Sequence, residues 1–342
     1  MKNYFYKKEN REISAVTDVE LNKKAKKRLS EIFVNREKLG IPEHLIQNWD
    51  KVGLYDPSGV VENALSLVTV PSEGGYHMQN KINELTGKEW IKFTCSWFIF
   101  NAIREDIKQE KEIDPSMEQH PATYSPTMIA EFIKFFTKKG QKVLDPFCGI
   151  GSTMEACKRT GRIGYGIELN PKYYSFIQKR TPEFKKNIFN DDCLNIDMLK
   201  IKGIDFCISS PPYWDILNRS THNFKTSREK KDLDVNYSDS EKDLGNIDDY
   251  DLFINKLKEL YLKIYDVLNP NAYVVIIIKN VKKGGKLYPI AWDIAKALSD
   301  KYVLKDEKIW IQDKVGLAPY GYPYSWTSNI LHHYCIILRK EI

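Results

Sequence analysis

Two consecutive prolines, Pro211 and Pro212, end an apolar run over residues 204–208 that predicts a buried strand. Proline has no N–H to donate and its φ is fixed, so neither a strand ladder nor a helix continues through the pair. The chain must leave the strand in an extended turn, and open α/β sheets bind their ligands beyond such strand ends. The prolines therefore mark a candidate site as well as the end of a strand.

The side chains beside the prolines suit a planar base that carries an amino group. The Ser210 hydroxyl and a neighbouring backbone carbonyl can accept hydrogen bonds from an exocyclic NH2, and Tyr213 offers a ring face for stacking. When this stretch is taken alone, the alternative is a turn that merely closes a strand, with the tyrosine as a surface plug. The segments upstream decide between the two interpretations.

Residues 142–153 predict a short apolar strand ending at Asp145, a turn containing Gly149 and Gly151, and a helix that begins near Ser152. The glycines let the backbone pass close to a ligand, and the helix start presents free N–H groups and a positive dipole end. The next predicted strand, 162–168, ends at Glu168. Its separation from Asp145 along the chain is close to that at which an acid grips ribose hydroxyls in nucleotide-binding α/β folds.

Predicted strands and helices alternate through the rest of the chain. A short third strand, 186–190, leads to Asp192, which is placed to accept a hydrogen bond from an adenine amino group. Further helices are expected at about 127–138, 171–179, 248–268 and 289–299, and further strands at 273–278, 308–311 and 334–338. This alternation is typical of an α/β fold with a largely parallel sheet.

The first part of the chain differs in character. Residues 1–48 predict helix, and residues 50–80 are rich in turn signals. Residues 1–40 hold eleven Lys and Arg against six Asp and Glu, which is nearly all of the formal net charge of +6. A basic excess of this kind favours a polyanionic partner, although a solvated helix face is the alternative.

Composition bounds the compartment. No apolar run approaches the roughly 18 to 20 residues that span a bilayer, and the first residues lack the apolar core of a signal peptide. We therefore expect a cytoplasmic protein with no membrane partner. The six cysteines show no CxxC or paired Cys/His spacing, which predicts reduced core residues and no metal site.

Taken together, the motifs at 144–153 and 210–213 closely resemble those of the S-adenosylmethionine-dependent DNA methyltransferases that modify exocyclic amino groups. The serine of the second motif resembles the N4-cytosine branch, and the resemblance covers about residues 118–340. It implies a Rossmann-like seven-stranded sheet, mostly parallel with a late antiparallel strand, in a methyltransferase domain over residues 116–342. Residues 1–115 would then form a mainly helical, loop-rich extension that takes part in DNA recognition.

The resemblance also implies roles for single residues. S-adenosylmethionine would be bound by residues of the glycine motif and the strand ends after it, namely His120, Asp145, Phe147, Gly149, Gly151, Ser152, Thr153, Glu168 and Asp192. Ser210, Pro211, Pro212 and Tyr213 would hold the target base as catalytic residues.

The implied reaction moves a methyl group to the N4 amino group of a cytosine flipped out of double-stranded DNA. It would serve restriction-modification or phage defence, with a cognate restriction endonuclease as a candidate partner. No metal or covalent enzyme intermediate is required.

One departure from many relatives is the motif order, because the cofactor motif comes first here and no long insertion separates the two halves. Sequence recognition must then come from elsewhere, and the candidates are residues 1–115, the polar loop 215–246 and the aromatic loop 316–328. The lysine-rich turn 279–286 is a candidate for phosphate contact. Three alternative functions remain open: a DNA N6-adenine methyltransferase, an RNA cytidine N4-methyltransferase, and a DNA-binding subunit that no longer catalyses.

Overall fold

A computed structural model of the protein describes residues 4–9, 12–15, 19–56, 67–70, 74–100, 124–214, 240–312 and 316–341. The chain divides into two compact units. The first comprises Met1–Cys95 together with Lys134–Lys138, and the second comprises Ser96–Ile133 and Lys139–Ile342. The boundary predicted near residue 115 falls within residues 101–123, outside the described ranges.

The first unit combines a small sheet with short helices. The elements are β1 (Phe5–Glu9), β2 (Glu12–Ala15), α1 (Val19–Val34), α2 (Glu43–Gln47), β3 (Gly53–Asp56), β4 (Leu67–Val70), β5 (Gly74–His77) and α3 (Gly87–Phe93). The strands lie in the order β2-β1-β3-β4-β5. Ala25, Leu29 and Ile32 form one buried face of α1 at helical spacing, and they belong to the same core as Leu54 and Tyr76.

The prediction of a mainly helical first part is therefore only partly correct. Helix α1 lies where helix was predicted, but the backbone before it forms the antiparallel pair β1 and β2, in which Tyr6 lies opposite Ala15. Strand β1 also pairs with β3, with Phe5 opposite Leu54. Pairing across about fifty residues of chain overrides the local helical pattern, which is the ordinary way in which tertiary context defeats propensity.

The second unit is built on an eight-stranded sheet and a separate two-stranded hairpin. Its strands are β6 (Trp97–Ile99), β7 (Lys142–Asp145), β8 (Ile163–Glu168), β9 (Ile188–Asn190), β10 (Ile204–Ser209), β11 (Leu268–Ile278), β12 (Val281–Lys283), β13 (Lys286–Tyr288), β14 (Val303–Ile311) and β15 (His332–Arg339). Its helices are α5 (Ser152–Thr160), α6 (Pro171–Arg180), α7 (Tyr250–Val267), α8 (Ile290–Leu298) and the part of α4 (Pro126–Phe136) that ends at Ile133.

The order of the large sheet is β6-β14-β15-β11-β10-β7-β8-β9, and β12 pairs with β13 in the hairpin. In the large sheet, β15 runs antiparallel to both of its neighbours, and the other pairs are parallel. The predicted α/β fold, with a mostly parallel sheet and one late antiparallel strand, is thus confirmed, but the predicted number of seven strands is wrong by one. Strand β6, which joins the edge beside β14, is an eighth strand that the sequence did not predict.

The central strands of this unit are largely buried, which leaves the strand ends as the places where a ligand can bind. Val274, Ile276 and Ile278 of β11 are fully buried, and so are Phe253 and Leu257 on one face of α7. A strand covered on both faces reads as a continuous apolar run, and each such side chain contributes about 1.5–3 kcal/mol by leaving water. Polar side chains that could bind a ligand are therefore expected beyond the carboxyl ends of these strands.

Two sequence expectations on compartment can be compared with the described residues. All six cysteines are free thiols and five are buried as predicted, but the prediction of a core residue is wrong for Cys95, which is exposed. None of the helices in the described ranges is both long and apolar enough to cross a membrane.

Candidate active site

Four parallel strands bring the predicted site residues to one edge of the large sheet. Strand β7 lies between β10 and β8, with Leu144 opposite Cys207 and Asp145 opposite Gly166. Strand β8 continues to Glu168, which lies opposite Asn190 of β9. Because parallel strands end at the same edge, the segments that follow β7, β8, β9 and β10 all emerge there.

Asp145 is the buried centre of the cofactor motif. Its Oδ2 accepts hydrogen bonds from the Thr153 hydroxyl at 2.5 Å and the Tyr124 hydroxyl at 2.9 Å, and its Oδ1 accepts one from the Phe147 N–H at 2.9 Å. Burial raises the pKa of Asp145, and the hydrogen bonds from Thr153, Phe147 and Tyr124 oppose that rise. The carboxylate thus fixes the turn and the start of α5 around itself.

Tyr124 is a site residue that sequence reasoning missed. Its hydroxyl contacts the Thr153 hydroxyl at 2.8 Å as well as Asp145, so the Tyr124, Thr153 and Asp145 side chains are all hydrogen-bonded to one another. Burial raises the pKa of the Tyr124 phenol well above its usual value. The sequence feature that could have pointed to Tyr124 is its position in a tyrosine–serine–proline sequence directly before α4. Ser125 in that sequence accepts a hydrogen bond from the Thr127 N–H.

The glycine turn has the backbone shape that its residues suggested. Gly149 and Gly151 have φ values of 53° and 84°, in the region that favours glycine. A Cβ at Gly151 would also come within 3.1 Å of the Ile177 side chain. Helix α5 starts at the next residue, so its first N–H groups face the turn.

Ser152 gives the best test of whether a ligand fits this turn. Its hydroxyl is buried and has no hydrogen-bond partner among the described residues. A buried polar atom without a partner costs about 1–3 kcal/mol, so a ligand able to bond to it would relieve that cost. The donors and acceptors around the turn are neutral hydroxyls, backbone N–H groups and the carboxyl groups of Asp145 and Glu168, which suits the amino-acid and ribose ends of S-adenosylmethionine.

Glu168 is tied to the glycine turn from the neighbouring strand. Its Oε2 accepts from the Gly149 N–H at 2.7 Å and its Oε1 from the Asn170 N–H at 2.8 Å. Burial raises the pKa of Glu168 to about 8, and these two N–H bonds act against the rise. The Asn190 amide donates to the Glu168 carbonyl at 2.8 Å, which holds the ends of β8 and β9 together.

Asp192 follows β9 and shapes its own loop. One of its carboxylate oxygens accepts from the Leu194 N–H at 2.9 Å and caps the short 3-10 helix Cys193–Asn195. Its neighbour Asp191 accepts from the Asn195 amide at 2.8 Å. The structure therefore places Asp192 at the expected edge, where it is partly buried.

The predicted target-base turn leaves β10 immediately after a buried anchor. The Ser209 and Tyr261 hydroxyls lie 2.7 Å apart, and both residues are buried. Ser210, Pro212 and Tyr213 are partly buried, and Pro211 is buried. Burial raises the pKa of the Tyr213 phenol to about 12, and a side-chain hydrogen bond with Ser210 opposes this. The two residues expected to act on the base are thus joined to each other.

His333 lies beside Tyr213 and was not singled out from the sequence. The two ring centroids are 5.9 Å apart, and His333 stacks on Trp310 at 4.4 Å. Burial, with the nearby Lys279 and His332 as further causes, lowers the pKa of His333 to about 3. Its Nδ1 is buried without a hydrogen-bond partner among the described residues, so a neutral imidazole faces the tyrosine.

Trp214 directly follows Tyr213 in the chain, but its side chain is only 2% exposed, so its ring is not available to stack on a base. Its ring lies 5.1 Å from that of Tyr250 and 4.6 Å from that of Tyr288, and the Lys283 Nζ lies 4.7 Å from its centroid. Trp214 therefore fastens the turn to the hairpin of β12 and β13.

Three groups of predicted residues are each brought together by direct contact: Asp145 with Phe147 and Thr153, Gly149 with Glu168, and Ser210 with Tyr213. His120 and most of the polar loop, residues 215–239, lie outside the described residues. In the ranges that are described, no three His, Cys, Asp or Glu side chains come together as a metal site would require.

Comparison with known proteins gives one family. The N6/N4 methyltransferase family, described as DNA methylase, matches residues 2–179. The Type II methyltransferase M.BglI of Bacillus subtilis is 30% identical over 104 residues, which is 30% of this chain and 26% of that protein. M.MjaII of Methanocaldococcus jannaschii is 26% identical over 200 residues, or 52% of this chain and 34% of that protein.

The chain spans about a quarter of the length of the first curated relatives it matches. Among solved structures, TrmN from Thermus thermophilus is 14% identical with a TM-score of 0.37, covering 63% of this chain and 48% of TrmN.

Proposed function

The chain belongs to the N6/N4 DNA methylase family, and on that premise we propose that it methylates the exocyclic N4 amino group of cytosine in double-stranded DNA. S-adenosylmethionine would supply the methyl group as an electrophilic sulfonium: the S–CH3 bond breaks as the N–CH3 bond forms, S-adenosylhomocysteine leaves, and the displaced N4 proton passes to water. The observation that carries the proposal is the position of the Ser210–Tyr213 turn. The turn follows β10, the strand that pairs in parallel with β7, so it emerges at the same sheet edge as the Asp145 and Glu168 cluster.

The cofactor half is assigned to residues that already form one network. Glu168 would accept the ribose hydroxyls, and Asp192 would meet the adenine amino group. Gly149, Gly151 and Ser152 would line the methionine end, where the unpartnered Ser152 hydroxyl offers a donor and an acceptor. Asp145, Thr153 and Phe147 would keep this turn in place through the bonds they make with one another.

The target half is assigned to the Ser-Pro-Pro-Tyr turn. The N4 lone pair of cytosine is delocalised into the ring, so the nitrogen is a poor nucleophile until its N–H bonds are fixed and it becomes pyramidal. The Ser210 hydroxyl and a backbone carbonyl beside the prolines would accept those two N–H bonds. Alignment of the amino group with the methyl donor is the main gain, and orientation effects in well-aligned systems reach roughly 7–11 kcal/mol.

A base inside a duplex cannot enter this turn, so the proposal requires base flipping. Flipping costs a few kcal/mol, and stacking of the extruded base on Tyr213 offsets part of that cost. The proline pair keeps the turn extended, because neither residue can donate to a strand or continue a helix. His333, neutral and packed beside Tyr213, would hold the ring face in position.

The proposed biological setting is restriction-modification or phage defence, with a cognate restriction endonuclease as partner. Support comes from the relatives, which are named Type II methyltransferases. The choice of cytosine N4 over adenine N6 rests on Ser210 at the head of the motif, since the same pocket chemistry serves both amino groups.

The decisive experiment is direct detection of the methylated base. The purified protein is incubated with S-adenosylmethionine and a plasmid grown in a methylation-free host, and the nucleosides are separated and identified by mass spectrometry. We expect N4-methylcytosine in the wild-type reaction and clearly less of it with Ser210→Ala. Appearance of N6-methyladenine instead would assign the chain to the adenine branch. Transfer to structured RNA with none to plasmid would contradict the DNA assignment.

A further inference from the structure

Residues 316–328, which we call the aromatic loop, hold four large rings in solvent. Tyr322, Tyr324 and Trp326 are 81%, 94% and 87% exposed, and Tyr320 and Leu317 are also exposed. Single exposed apolar residues are common on proteins, but a cluster of this kind marks an interaction surface.

The aromatic loop is a structured turn. The Asn329 side chain bonds to Ala318 twice, accepting from its N–H at 3.0 Å and donating to its carbonyl at 2.9 Å. Inside the loop, the Tyr324 and Ser325 N–H groups donate to the Gly321 carbonyl at 2.8 and 2.7 Å. Gly321 has a φ of 83°, and a Cβ there would lie 2.5 Å from the Ser325 carbonyl oxygen. These bonds hold the loop in one shape, with its rings pointing into solvent.

A basic hairpin lies directly against this loop. Residues 281–288, which we call the lysine hairpin, carry Lys282, Lys283 and Lys286 around an open Gly284–Gly285 tip. The Lys282 ammonium donates to the Ser328 carbonyl and hydroxyl at 2.5 and 3.0 Å, which joins the hairpin to the loop. Neither the loop nor the hairpin contains an Asp or Glu, so the joint surface is basic and aromatic.

The same hairpin reaches the candidate active site. The Lys283 ammonium lies 4.7 Å from the Trp214 ring centroid, and the Tyr288 ring lies 4.6 Å from the same ring. Trp214 directly follows Tyr213 in the turn assigned to the target base. The aromatic loop, the lysine hairpin and the target-base turn are thus joined by contacts in one continuous strip.

We infer that this strip binds unpaired bases of the DNA strand beside the target base, with the loop rings stacking on bases and the hairpin lysines meeting phosphates. The inference rests on the proposed function for the identity of the target. Its chemistry follows from the strip itself. Every base has a face that stacks on tyrosine or tryptophan, and clustered lysines without acids complement phosphate. A flipped base leaves unpaired neighbours, which are the bases such rings can reach.

The test uses the full-length protein and two labelled DNA duplexes of equal sequence, one fully paired and one with a short unpaired bubble. Affinity is measured by fluorescence anisotropy. Trp326→Leu and Tyr324→Leu keep an apolar side chain but remove the ring. We expect each to weaken bubble binding by about 5- to 150-fold, the range that corresponds to losing one stacked base.

Matched variants isolate the ring from other effects. Trp326→Phe and Tyr324→Phe keep a stacking face and should bind close to wild type, and Met198→Ala removes an exposed apolar side chain elsewhere and should have no effect. Lys286→Gln, which leaves the Lys282–Ser328 contact in place, should reduce the salt dependence of binding by about one phosphate contact. A single strand of RNA in a parallel arm shows whether the surface distinguishes DNA from RNA.

Three outcomes would overturn the inference. The first is bubble binding by the Leu variants that is as tight as that of wild type. The second is a wild-type protein that binds neither DNA. The third is a wild-type dimer in sedimentation that Trp326→Leu converts to a monomer, which would make the strip a self-association surface.

Failure of the proposed function is a separate result. Ring-dependent DNA binding without any methyl transfer would reject the proposed function and leave this inference standing. Methyl transfer with unchanged affinity in the Leu variants would do the reverse.

Discussion

Ser210 and Tyr213 are the residues on which the assignment of the target base depends. Ser210→Ala removes one acceptor for the amino group, so methyl transfer should fall while S-adenosylmethionine affinity stays near wild type. Tyr213→Ala removes the stacking face, worth about 1–3 kcal/mol per base, and should slow transfer more. Tyr213→Phe is the control, because it keeps the face and loses only the hydroxyl that bonds to Ser210.

Single-turnover transfer and calorimetric cofactor binding are the two measurements for these variants. If both alanine variants lost cofactor binding, the turn would belong to the cofactor pocket. Normal transfer in both would make it a structural turn.

Glu168 offers a prediction that depends on pH. Because its pKa is raised to about 8, the cofactor-free protein holds a proton on this carboxyl at neutral pH and below. The ionised form of Glu168 accepts hydrogen bonds from ribose hydroxyls most strongly, so binding of S-adenosylmethionine at a pH below the pKa should release that proton. Affinity for S-adenosylmethionine should therefore rise with pH, by up to about tenfold per pH unit, and level off above the pKa.

Calorimetry on both sides of this pKa, in wild type and in Glu168→Gln, separates the effect from titration of the cofactor itself. The difference in slope between the two proteins reports Glu168 alone. Parallel slopes would show that this carboxyl does not change its protonation on binding.

At the scale of single residues, the sequence predicted best the contacts that are close in the chain. Asp145 and Thr153 are eight residues apart and meet as the strand, turn and helix motif implied. Tyr124 reaches Asp145 from 21 residues away, and His333 reaches Tyr213 only because β15 inserts between β11 and β14. Neither contact has a local pattern, since both depend on how distant segments pack.

Among the elements, β8 has a glycine, Gly166, against which another side chain packs closely. A Cβ added at Gly166 would lie 2.3 Å from the Cys148 Sγ, far inside contact distance. Gly166→Ala should therefore lower the free energy of unfolding by about 1–3 kcal/mol, the usual cost of overpacking. Chemical denaturation followed by circular dichroism measures the change.

The rescue variant is Cys148→Ala, which removes the sulfur that clashes. The Cys148 Cβ is 3.6 Å from the position that the new Cβ would occupy, an ordinary contact. The double variant Gly166→Ala, Cys148→Ala should recover part of the loss that Gly166→Ala causes alone. Additive losses in the double variant would mean that the strain lies elsewhere than at the sulfur.

The boundaries of a helix or strand were predictable where the segment itself contains the residues that begin and end it. Helix α7 was expected at 248–268 and spans Tyr250–Val267, with Asp249 capping it through the Leu252 N–H. The third strand was expected at 186–190, but residues Pro182–Asn187 form a 3-10 helix and leave only Ile188–Asn190 to the sheet. Strand β6 has only three residues, and the strand it pairs with, β14, lies about two hundred residues further along the chain, so no local pattern marks it.

On the scale of the whole molecule, charge is unevenly distributed between the parts of the chain. Residues 1–40 carry nearly all of the net positive charge, and Lys23 and Lys27 are exposed on α1. The second unit contains both the Asp145 and Glu168 cluster and the Ser210–Tyr213 turn. A division of labour is therefore expected, in which the first part of the chain adds affinity for phosphates and the second performs the chemistry.

Charge reversal on α1 tests that division without truncating the chain. Lys23→Glu with Lys27→Glu should weaken duplex binding and lower the slope of log affinity against log salt by about 2, because each lost phosphate contact contributes about 0.9. Lys185→Glu with Lys186→Glu changes the net charge equally at exposed positions near β9 and should leave the slope unchanged. Cofactor affinity should be equal in both. If the two double variants lowered the slope alike, general charge would explain the effect and α1 would not be a DNA contact.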